Sequence, residues 1–329
     1  MDSPKPGLFH DIIIGSLTVP GNVWLAPMAG YSDAAFRAVC ASQGARLCFT
    51  EMASADALSR NNGTSLRLLQ KSEEAITGFQ IFGSTPAVAA AAVRRINPLR
   101  PAIVDLNCGC SVPKVLKAEC GALLLRNPAL IGSIVAAMKS ETDVPVSVKL
   151  RLGWEASSHT YLACAEAAVK AGASLVTLHP RTRAQGFTGA AQWSHLRTLK
   201  EACPVPVIGS GDLFSAQDCL KMISTTGCDG VMIARGCLGN PFIFAQAEAL
   251  LKGKPAQTRV APEERLSLAI SHLRLLADSV GEDKACRDMR KHFVAYTKGL
   301  AGSSIVRQSV VYASRIDEYE EIVESYLRE

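Results

Sequence analysis

The sequence predicts an α/β fold: a closed (β/α)8 TIM barrel followed by a small all-helical C-terminal domain. Eight short runs rich in Val, Ile and Leu recur through the first two thirds of the chain, and amphipathic or Ala-rich stretches separate them. Continuous apolar strands that alternate with helices indicate a parallel sheet covered on its outer face. Eight such units over about 250 residues match the size of a closed barrel.

Local patterns mark the strands and helices of the barrel. The predicted strands span residues 23–28, 47–49, 76–82, 103–106, 146–150, 175–178, 205–208 and 230–233. The predicted helices span 33–43, 85–96, 128–140, 160–171, 194–202 and 215–226. Polar residues mark most strand ends, namely Glu51, Gln80, Asn107, Lys149, Arg151, His179, Ser210, Asp212 and Arg235. A closed barrel gathers these ends at one mouth, whereas the alternative, a doubly wound open sheet, spreads them along a crevice.

The pattern changes after the eighth predicted strand. From about Gln246, helical periodicity continues without strands, over residues 263–279, 286–299 and 305–327. A polar stretch that contains Pro and Gly lies between the two regions, which is typical of a joint between domains. We therefore expect a catalytic barrel over residues 1–250, a joint over 251–262 and a helical domain over 263–329.

The composition indicates a globular protein of the cytoplasm. The 329 residues are 48% hydrophobic, which is enough for one large core and a smaller second one. The 11 cysteines are irregularly spaced and residues 1–7 carry no apolar signal core, which favours a reducing compartment. The longest apolar runs fall well short of the roughly 18 residues that span a membrane, so no membrane role is expected. The net charge of +5 permits a polyanionic partner without requiring one.

Residues 105–115 are the strongest candidate for chemistry. The strand at 103–106 gives way to small and polar residues, which predicts that Asn107 and Cys110 lie in the loop at its C-terminal end. A cysteine there can be a nucleophile, a metal ligand or a proton donor, or can pack as a small hydrophobic residue. No third cysteine or histidine stands at a matching spacing beside Cys108 and Cys110, so no metal site is expected. Acyl transfer is poorly supported because no acid is evident to orient His179 as a base.

Turns that contain glycine after the seventh and eighth predicted strands indicate a phosphate site. Ser210, Gly211 and Asp212 follow one strand, and Ala234 and Arg235 follow the next, where β/α barrels commonly bind phosphate. Exposed backbone N–H groups and a forked guanidinium suit that ligand, although such glycines also serve simply to make tight turns.

Other side chains at strand ends indicate binding of a heterocycle or an anion. Lys149 ends an apolar strand, where its ammonium can stabilise negative charge on a ring or a substrate carbonyl. Gln80 can hydrogen-bond a heterocycle edge, and His179 can hydrogen-bond a ring or shuttle a proton. Arg181 and Arg183 follow His179 and are placed to meet anions at the rim.

Motifs in a characteristic order run through the whole chain. They are Leu25-Ala-Pro-Met-Ala-Gly-Tyr-Ser-Asp33, Thr50-Glu-Met52, Phe79-Gln-Ile-Phe-Gly83, the loop 107–115, Val148-Lys149 with Arg151, residues 177–185, Ala234-Arg-Gly-x-x-Gly-Asn-Pro-Phe-Ile-Phe244 and Lys291-His-Phe-Val-Ala-Tyr-Thr-Lys-Gly-Leu300. In these segments the chain resembles the tRNA-dihydrouridine synthases, and in particular their B-type bacterial subgroup. The spacing of so many matches makes coincidence an unreasonable explanation.

The resemblance implies an enzyme that uses FMN and NADPH to reduce the C5=C6 bond of a D-loop uridine in tRNA, at position 17 for the B-type. It implies that hydride passes from flavin N5 to uracil C6 and that Cys110 donates a proton to C5. By the same resemblance, FMN would be bound by Pro27, Met28, Ala29, Gln80, Lys149, His179, Ser210, Gly211, Asp212, Ala234 and Arg235. The flipped uracil or the flavin would be positioned by Asn107, Arg151 and His179.

The resemblance also gives weight to the positive charges of the C-terminal region. Taken alone, they are more simply a solvated helix face. With the family's fold, they are expected to bind tRNA phosphates together with Arg181 and Arg183; they are Lys284, Arg287, Arg290, Lys291 and Lys298. We expect a monomer. The alternatives are a flavin-dependent barrel that acts on ribosomal RNA or on a free pyrimidine, as dihydroorotate dehydrogenases do, and an RNA-binding protein without turnover.

Overall fold

The computed structural model describes residues 7–71, 75–257 and 259–328. Its strands are β1 (Ile12–Ile14), β2 (Leu17–Val19), β3 (Val23–Leu25), β4 (Cys48–Phe49), β5 (Ala53–Ser54), β6 (Thr77–Phe82), β7 (Ile103–Cys108), β8 (Val146–Arg151), β9 (Ala173–His179), β10 (Val207–Ser210) and β11 (Gly230–Ile233). Strands β3, β4 and β6 to β11 pair in parallel, and the pairing of β4 with β6 closes the ring. The predicted (β/α)8 barrel is therefore confirmed.

The six barrel helices that the sequence predicts agree with their expected bounds to within one residue at each end. In the described ranges the helices are α1 (Ala34–Ser42), α2 (Ala55–Ser59), α3 (Gly63–Arg67), α4 (Pro86–Ile96), α5 (Pro113–Lys117), α6 (Pro128–Lys139), α7 (Tyr161–Lys170), α8 (Ser194–Ala202), α9 (Ala216–Thr226), α10 (Ile243–Leu251), α11 (Pro262–Val280), α12 (Glu282–Tyr296), α13 (Ser303–Ser309) and α14 (Ile316–Arg328). The side chains of Asp33, Thr85 and Ser215 accept backbone N–H groups and so fix where α1, α4 and α9 begin. None of the helices described here has the length and apolarity needed to cross a membrane.

Several strand ends near the mouth of the barrel differ from the prediction: β3 ends at Leu25, three residues before its predicted end, and β10 continues two residues further, to Ser210. The second barrel strand is interrupted: β4 covers two residues, and β5 resumes the pairing with β6 after residues 50–52. Strand β7 continues to Cys108, so the expectation that Asn107 lies in a loop is wrong. Asn107 and Cys108 pair with Lys149 and Leu150 of β8, because ladder hydrogen bonds outweigh the polar character of the segment.

A short antiparallel hairpin, β1 with β2, closes the N-terminal end of the barrel. Ile12, Ile14 and Val19 are buried in one cluster with Trp24 and residues from the beginnings of several barrel strands. A Cβ added at Gly230, the first residue of β11, would lie 3.1 Å from Ile12 Cδ1. The hairpin therefore sits against the ends of the strands and fills the lower opening. Three-residue strands carry too little periodicity to be predicted.

The chain after the barrel forms helices α11 to α14, and the predicted all-helical C-terminal region is confirmed. Leu273, Phe293 and Tyr319 lie in its buried core, and Ala35 of α1 joins the same cluster. The predicted helix 305–327 is two helices, α13 and α14. The break occurs where the Glu318 carboxylate accepts the N–H groups of residues 314 and 315 and so begins α14. The predicted domain bounds at residues 250 and 262 stay a prediction.

Candidate active site

The C-terminal ends of the barrel strands surround a cavity of about 420 Å³. This is where β/α-barrel enzymes keep their active sites, and the volume suits a small-molecule ligand. All the residues expected to bind the cofactor line it, namely Pro27, Met28, Ala29, Gln80, Lys149, His179, Ser210, Gly211, Asp212, Ala234 and Arg235. The expected catalytic residue, Cys110, and two residues expected to bind the substrate, Asn107 and Arg151, line it as well. The structure thus brings together side chains that lie more than 200 residues apart in the sequence.

Asn107 fixes the loop that carries Cys110. Its Oδ1 accepts the backbone N–H of Gly109 at 3.1 Å and that of Cys110 at 2.9 Å. Its Nδ2 donates to Gln80 Oε1 at 2.8 Å and contacts Met52 Sδ at 3.7 Å. Both ends of the amide are therefore engaged within the protein. Asn107 is placed to position the cysteine loop as well as to contact a ligand directly.

Gln80 is held by a buried carboxylate below the cavity. Its Nε2 donates to Asp105 Oδ2 at 2.8 Å, and Ser147 Oγ donates to the other oxygen of Asp105 at 2.6 Å. Burial raises the pKa of Asp105 to about 6, although the bonds from Ser147 and Gln80 and the charge of Lys149 lower it. Gln80 is fixed in orientation, and each of its polar atoms keeps a further hydrogen-bonding position for a ligand.

Two basic side chains from β8 line the cavity. Burial and, to a lesser extent, the nearby Arg151 lower the pKa of Lys149 to about 8, while Asp105 opposes the shift. Arg151 donates from Nε to Gly109 O at 2.8 Å and from Nη1 to the carbonyls of Thr182 and Gly186. Arg151 thus ties the cysteine loop to the loop after β9 while it lines the cavity.

His179 and Arg181 form a buried pair beside the phosphate turn. Arg181 Nη1 lies 3.3 Å from His179 Nε2. Because a guanidinium can only donate, Nε2 accepts, and the proton of the neutral ring is on Nδ1. Burial, reinforced by surrounding cations, lowers the pKa of His179 to about 2. His179 is therefore a neutral hydrogen-bond donor, which does not suit the alternative role of proton shuttle.

The expectation that Arg181 meets anions at the rim is wrong. Its side chain is 2% exposed and forms an ion pair with Asp212 at 2.7 Å. It also donates to the carbonyls of Thr188 and Gly189, which fold the loop after β9 back over it. Asp212 accepts from the N–H of Ala191 at 2.7 Å as well. Arg181 consequently holds loops together beneath the mouth and is not accessible to a polyanion.

The Cys110 thiol is half-buried and faces the cavity. Burial raises its pKa, while a bond from the Val112 N–H and the charge of Arg151 lower it. The thiol therefore keeps its proton at neutral pH. Its backbone is packed tightly: Cys110 O accepts from Ala122 N at 2.9 Å, and a Cβ added at Gly121 would lie 2.6 Å from that oxygen.

The site residues expected from the sequence do not include the aromatic residues that lie at the mouth. Phe187 and Phe214 are 60% and 53% exposed and both line the cavity. The guanidinium of Arg235 lies 4.6 Å from the centre of the Phe187 ring, and that of Arg151 lies 5.4 Å from it. The signal in the sequence is an aromatic residue between two glycines, in Gly186-Phe-Thr-Gly189. Further lining residues, for which the sequence predicted no role of their own, are Tyr31, Met52, Ser111, Val112, Leu213 and Leu238.

The basic residues of α12 are less available than the sequence suggests. Lys284 pairs with Asp288, and Arg287 pairs with Asp283 at 2.7 Å. Arg290 is half-buried and donates weakly to Ala313 O at 3.5 Å. Two residues remain exposed without such a pairing in the described part of the chain, Lys291 in α12 and Lys298 just after its end. Lys291 lies 5.4 Å from the centre of the Tyr31 ring, which lines the cavity.

The fold and the site define a β/α-barrel enzyme whose single mouth combines a protonated thiol, a neutral imidazole and several cations. A family model described as "Dihydrouridine synthase (Dus)" matches residues 24–329. The chain belongs to the dihydrouridine synthase family and is an oxidoreductase.

Several curated relatives match nearly the whole chain. A "Probable tRNA-dihydrouridine synthase" of Treponema pallidum is 41% identical over 327 residues, which cover 96% of each chain. A "tRNA-dihydrouridine synthase B" of Pseudomonas aeruginosa is 36% identical over 88% of each, and one of Pasteurella multocida is 33% identical over 90% of each.

Solved structures with low sequence identity share the barrel. A 2-naphthoyl-CoA reductase complex aligns with a TM-score of 0.59 at 13% identity, over 74% of this chain and 52% of that one. Histamine dehydrogenase from Rhizobium sp. 4-9 aligns with a TM-score of 0.58 at 15% identity, over 82% and 51%. The chain thus spans about half the length of each, and the likeness at these identities is one of fold.

Proposed function

We propose that the protein is a tRNA-dihydrouridine synthase that uses FMN and NADPH to reduce the C5=C6 bond of a D-loop uridine. The observation that carries the proposal is the Cys110 thiol, which lines the same cavity as Lys149, Arg151 and His179. The names of relatives matched over most of the chain support tRNA as the substrate. Two of these relatives are named "tRNA-dihydrouridine synthase B", which favours assigning this protein to the B-type subgroup.

The charge and shape of the cavity fit FMN. Among the described residues that line it, Lys149, Arg151 and Arg235 outnumber the one carboxylate, Asp212, so the site favours an anionic ligand. Gly211 has φ +105°, and a Cβ there would lie 2.7 Å from His179 Cδ2. A bare backbone is therefore needed at this turn, as in sites where N–H groups approach a phosphate closely.

The roles of the lining residues follow from their chemistry. Arg235, with the backbone of Gly211 and Ala234, would hold the phosphate, and Gln80 and Lys149 would hold the polar edge of the ring. Pro27, Met28 and Ala29 would form an apolar wall beside it; all of these residues line the cavity. When bound and reduced, FMN supplies the hydride that the C6 atom of uracil receives.

Cys110 supplies the proton that balances the reduction. The uracil gains a hydride at C6 and a proton at C5, and no group leaves. The Cys110 S–H bond breaks as the C5–H bond forms, and the thiolate that remains is stabilised by the charge of Arg151, which lowers the pKa of this cysteine. Water restores the thiol proton between turnovers. The neutral His179 orients a ring carbonyl, which accepts its Nδ1–H.

The mouth of the cavity suits a base that has left its stack. An enzyme that reacts at a base must take it out of the stack, and exposed aromatic side chains offer a surface for it. Phe187 provides such a surface next to Arg151 and Arg235. Lys291 of α12 lies above the ring of Tyr31 at the same mouth. Its positive charge would bind the phosphates of an RNA chain that runs from the barrel to the helical region.

The experiment that tests this function maps dihydrouridine by position in unmodified tRNA incubated with purified protein, FMN and NADPH. Dihydrouridine is expected at one D-loop position, and Cys110→Ala should lower the rate by 10²-fold or more. Cys203→Ala is the matched control, because Cys203 is also half-buried but lies at the end of α8, outside the cavity. Equal rates for wild type and Cys110→Ala would remove Cys110 from the mechanism.

The alternatives are tested with the same preparation. Ribosomal RNA, uracil and dihydroorotate replace tRNA in parallel reactions. If one of them reacts while tRNA stays unmodified, that molecule is the substrate instead of tRNA. A protein that binds tRNA and flavin yet modifies no RNA would support a non-catalytic role.

A further inference from the structure

Arg126, Trp154 and Arg183 form a stack on the rim of the barrel. The guanidinium carbon of Arg126 lies 4.7 Å from the centre of the Trp154 ring, and that of Arg183 lies 4.5 Å from it. Arg126 ends a 3-10 helix in the connection after β7, Trp154 follows β8, and Arg183 follows β9. All three connections leave the C-terminal ends of their strands, so the stack lies on the same face of the barrel as the cavity.

Backbone contacts join the stack to the mouth. Arg183 N donates to Gly153 O at 2.9 Å, and the neighbouring carbonyl of Thr182 accepts from Arg151 Nη1 at 3.0 Å. Arg151 in turn lies beside Phe187, whose other cationic neighbour is Arg235. The rim therefore carries two successive arrangements of an aromatic ring with two arginines. The inner one is part of the cavity, and the outer one lies one connection away from it.

The outer arginines carry unbalanced positive charge. Across the described ranges, neither Arg126 nor Arg183 forms an ion pair, whereas exposed arginines such as Arg60 and Arg94 pair with carboxylates at 2.9 and 2.5 Å. Arg183 Nε is buried with no hydrogen-bond partner. Stacking on Trp154 holds both guanidiniums in place without neutralising them. A fixed, planar and unpaired cation is the group that binds a phosphodiester through paired N–H donors.

We infer that Arg126, Trp154 and Arg183 bind the RNA backbone at a nucleotide beside the reduced uridine, so that this stack anchors the chain while its neighbour enters the cavity. The inference rests on the proposed function, because it names the part of the RNA that the rim holds. The sequence predicted that Arg183 binds RNA together with Arg181. Because Arg181 is buried, we infer that Arg126 is the second arginine instead.

The test is binding of an unmodified tRNA transcript to the flavin-loaded protein over a range of salt concentrations, in a Cys110→Ala background that prevents turnover. Arg126→Gln is expected to weaken binding about fivefold to eightfold at 0.1 M salt and to lower the slope of log Kd against log salt by about 0.7 to 0.9, the value for one phosphate contact. Arg126→Lys should restore part of the slope. Flavin content and Tm should match the parent in both variants.

Arg94→Gln is the matched control, because Arg94 is an exposed arginine at the C-terminal end of α4, on the opposite face of the barrel. It should leave both the affinity and the slope unchanged. Trp154→Phe adds a second readout: RNA should change the tryptophan fluorescence of the parent, and that change should be largely lost in the variant. Equal slopes for Arg126→Gln, Arg183→Gln and the parent would overturn the inference. The wild-type modification assay is separate, so a failure of the proposed function would show itself there.

Discussion

The side-chain carbonyl of Asn107 accepts the backbone N–H of Cys110 at 2.9 Å, so a strand residue sets the position of the thiol. The bond spans the point where β7 ends and the cysteine loop begins. Asn107 is itself tied to Gln80, and Gln80 to Asp105. The position of the Cys110 thiol therefore depends on a polar network that reaches into the barrel interior.

Asn107→Ala is expected to lower kcat by about 100-fold, because a loop displaced by an ångström moves the thiol out of line with the reacting carbon. Steady-state rates of tRNA modification measure the effect. Asn62→Ala is the matched control: Asn62 Oδ1 also accepts a backbone N–H, from Ser65 at 3.0 Å, but it caps α3 on the surface. It should cost about 1 kcal/mol of stability and no activity. Similar rates for Asn107→Ala and wild type would show that the loop holds its shape unaided.

Gly121→Ala is expected to displace the loop that carries Cys110, because the added methyl group would collide with its backbone. The added Cβ would lie 2.6 Å from Cys110 O and 2.9 Å from Val115 Cγ1, and φ is +64°. Gly227→Ala isolates the backbone cost, since its φ is +72° and no atom lies within 4 Å of the added carbon. Both variants should lose about 1 kcal/mol from the positive φ, but only Gly121→Ala should lose activity as well. Denaturant unfolding and modification rates, measured together, would contradict this if the two variants behaved alike.

Lys149 is expected to lower the stability of the flavin-free protein at neutral pH. Its folded pKa of about 8 lies below the ordinary 10.5, so the unfolded chain holds the proton more tightly. The penalty is complete below pH 8 and is relieved as the pH rises from 8 to 10.5. Lys149→Met should therefore be more stable at pH 7, by up to about 3 kcal/mol, while its flavin affinity falls.

The measurement for Lys149 is the difference in unfolding free energy between wild type and Lys149→Met at several pH values. A difference is needed because buried cysteines also titrate in this range, with raised pKa values and the opposite slope. The gain of the variant should shrink as the pH rises above 8. A gain that is constant over pH would assign it to packing instead of charge.

His272 and His292 are expected to make the helical region sensitive to acid. Their rings lie 4.5 Å apart in the core between α11 and α12, and each Nε2 is buried with no partner among the described residues. Burial and, to a lesser extent, Lys291 lower the pKa of His292 to about 3; burial, His292 and Lys291 hold that of His272 well below its usual range. Because the unfolded chain takes up protons first, stability should fall as the pH drops below 6.5.

His292→Phe should remove its share of that loss, about 2 kcal/mol at pH 5, where the unfolded imidazole is charged and the folded one is not. Unfolding by denaturant at pH 7 and pH 5, followed by far-UV circular dichroism, measures the change. His159→Gln serves as control, because His159 is exposed near the barrel mouth. If the two variants lost the same stability between pH 7 and pH 5, the buried pair would not be the source.

The barrel and most of its lining could be predicted from the sequence, because strand order and direction decide where the polar residue at each strand end must lie. Lys149, Gln80 and Arg235 reach the cavity for this reason alone. Features that depend on how loops fold back could not be predicted. Arg181 is buried because residues 188 and 189 return over it, and no local pattern encodes that return.

Local sequence patterns also could not predict hydrogen bonds between polar residues that lie far apart in the chain. Asp105 is visible as a charge in an apolar strand, but its acceptor role depends on Gln80 and Ser147, which lie 25 and 42 residues away. The pairing of Arg287 with Asp283 is a four-residue helix contact, and it becomes apparent only once α12 is known to begin before residue 286.

The β1–β2 hairpin has a kinetic consequence. The hairpin covers the end of the barrel opposite the cavity, and buried side chains fill the barrel interior between them, so ligands of the cavity enter and leave at the C-terminal ends of the strands. Under the proposed function, the nicotinamide that delivers electrons and the uridine that receives them must then occupy the same opening of the cavity one after the other. Initial rates measured against both substrates should give parallel double-reciprocal lines, and excess of either one should inhibit the other.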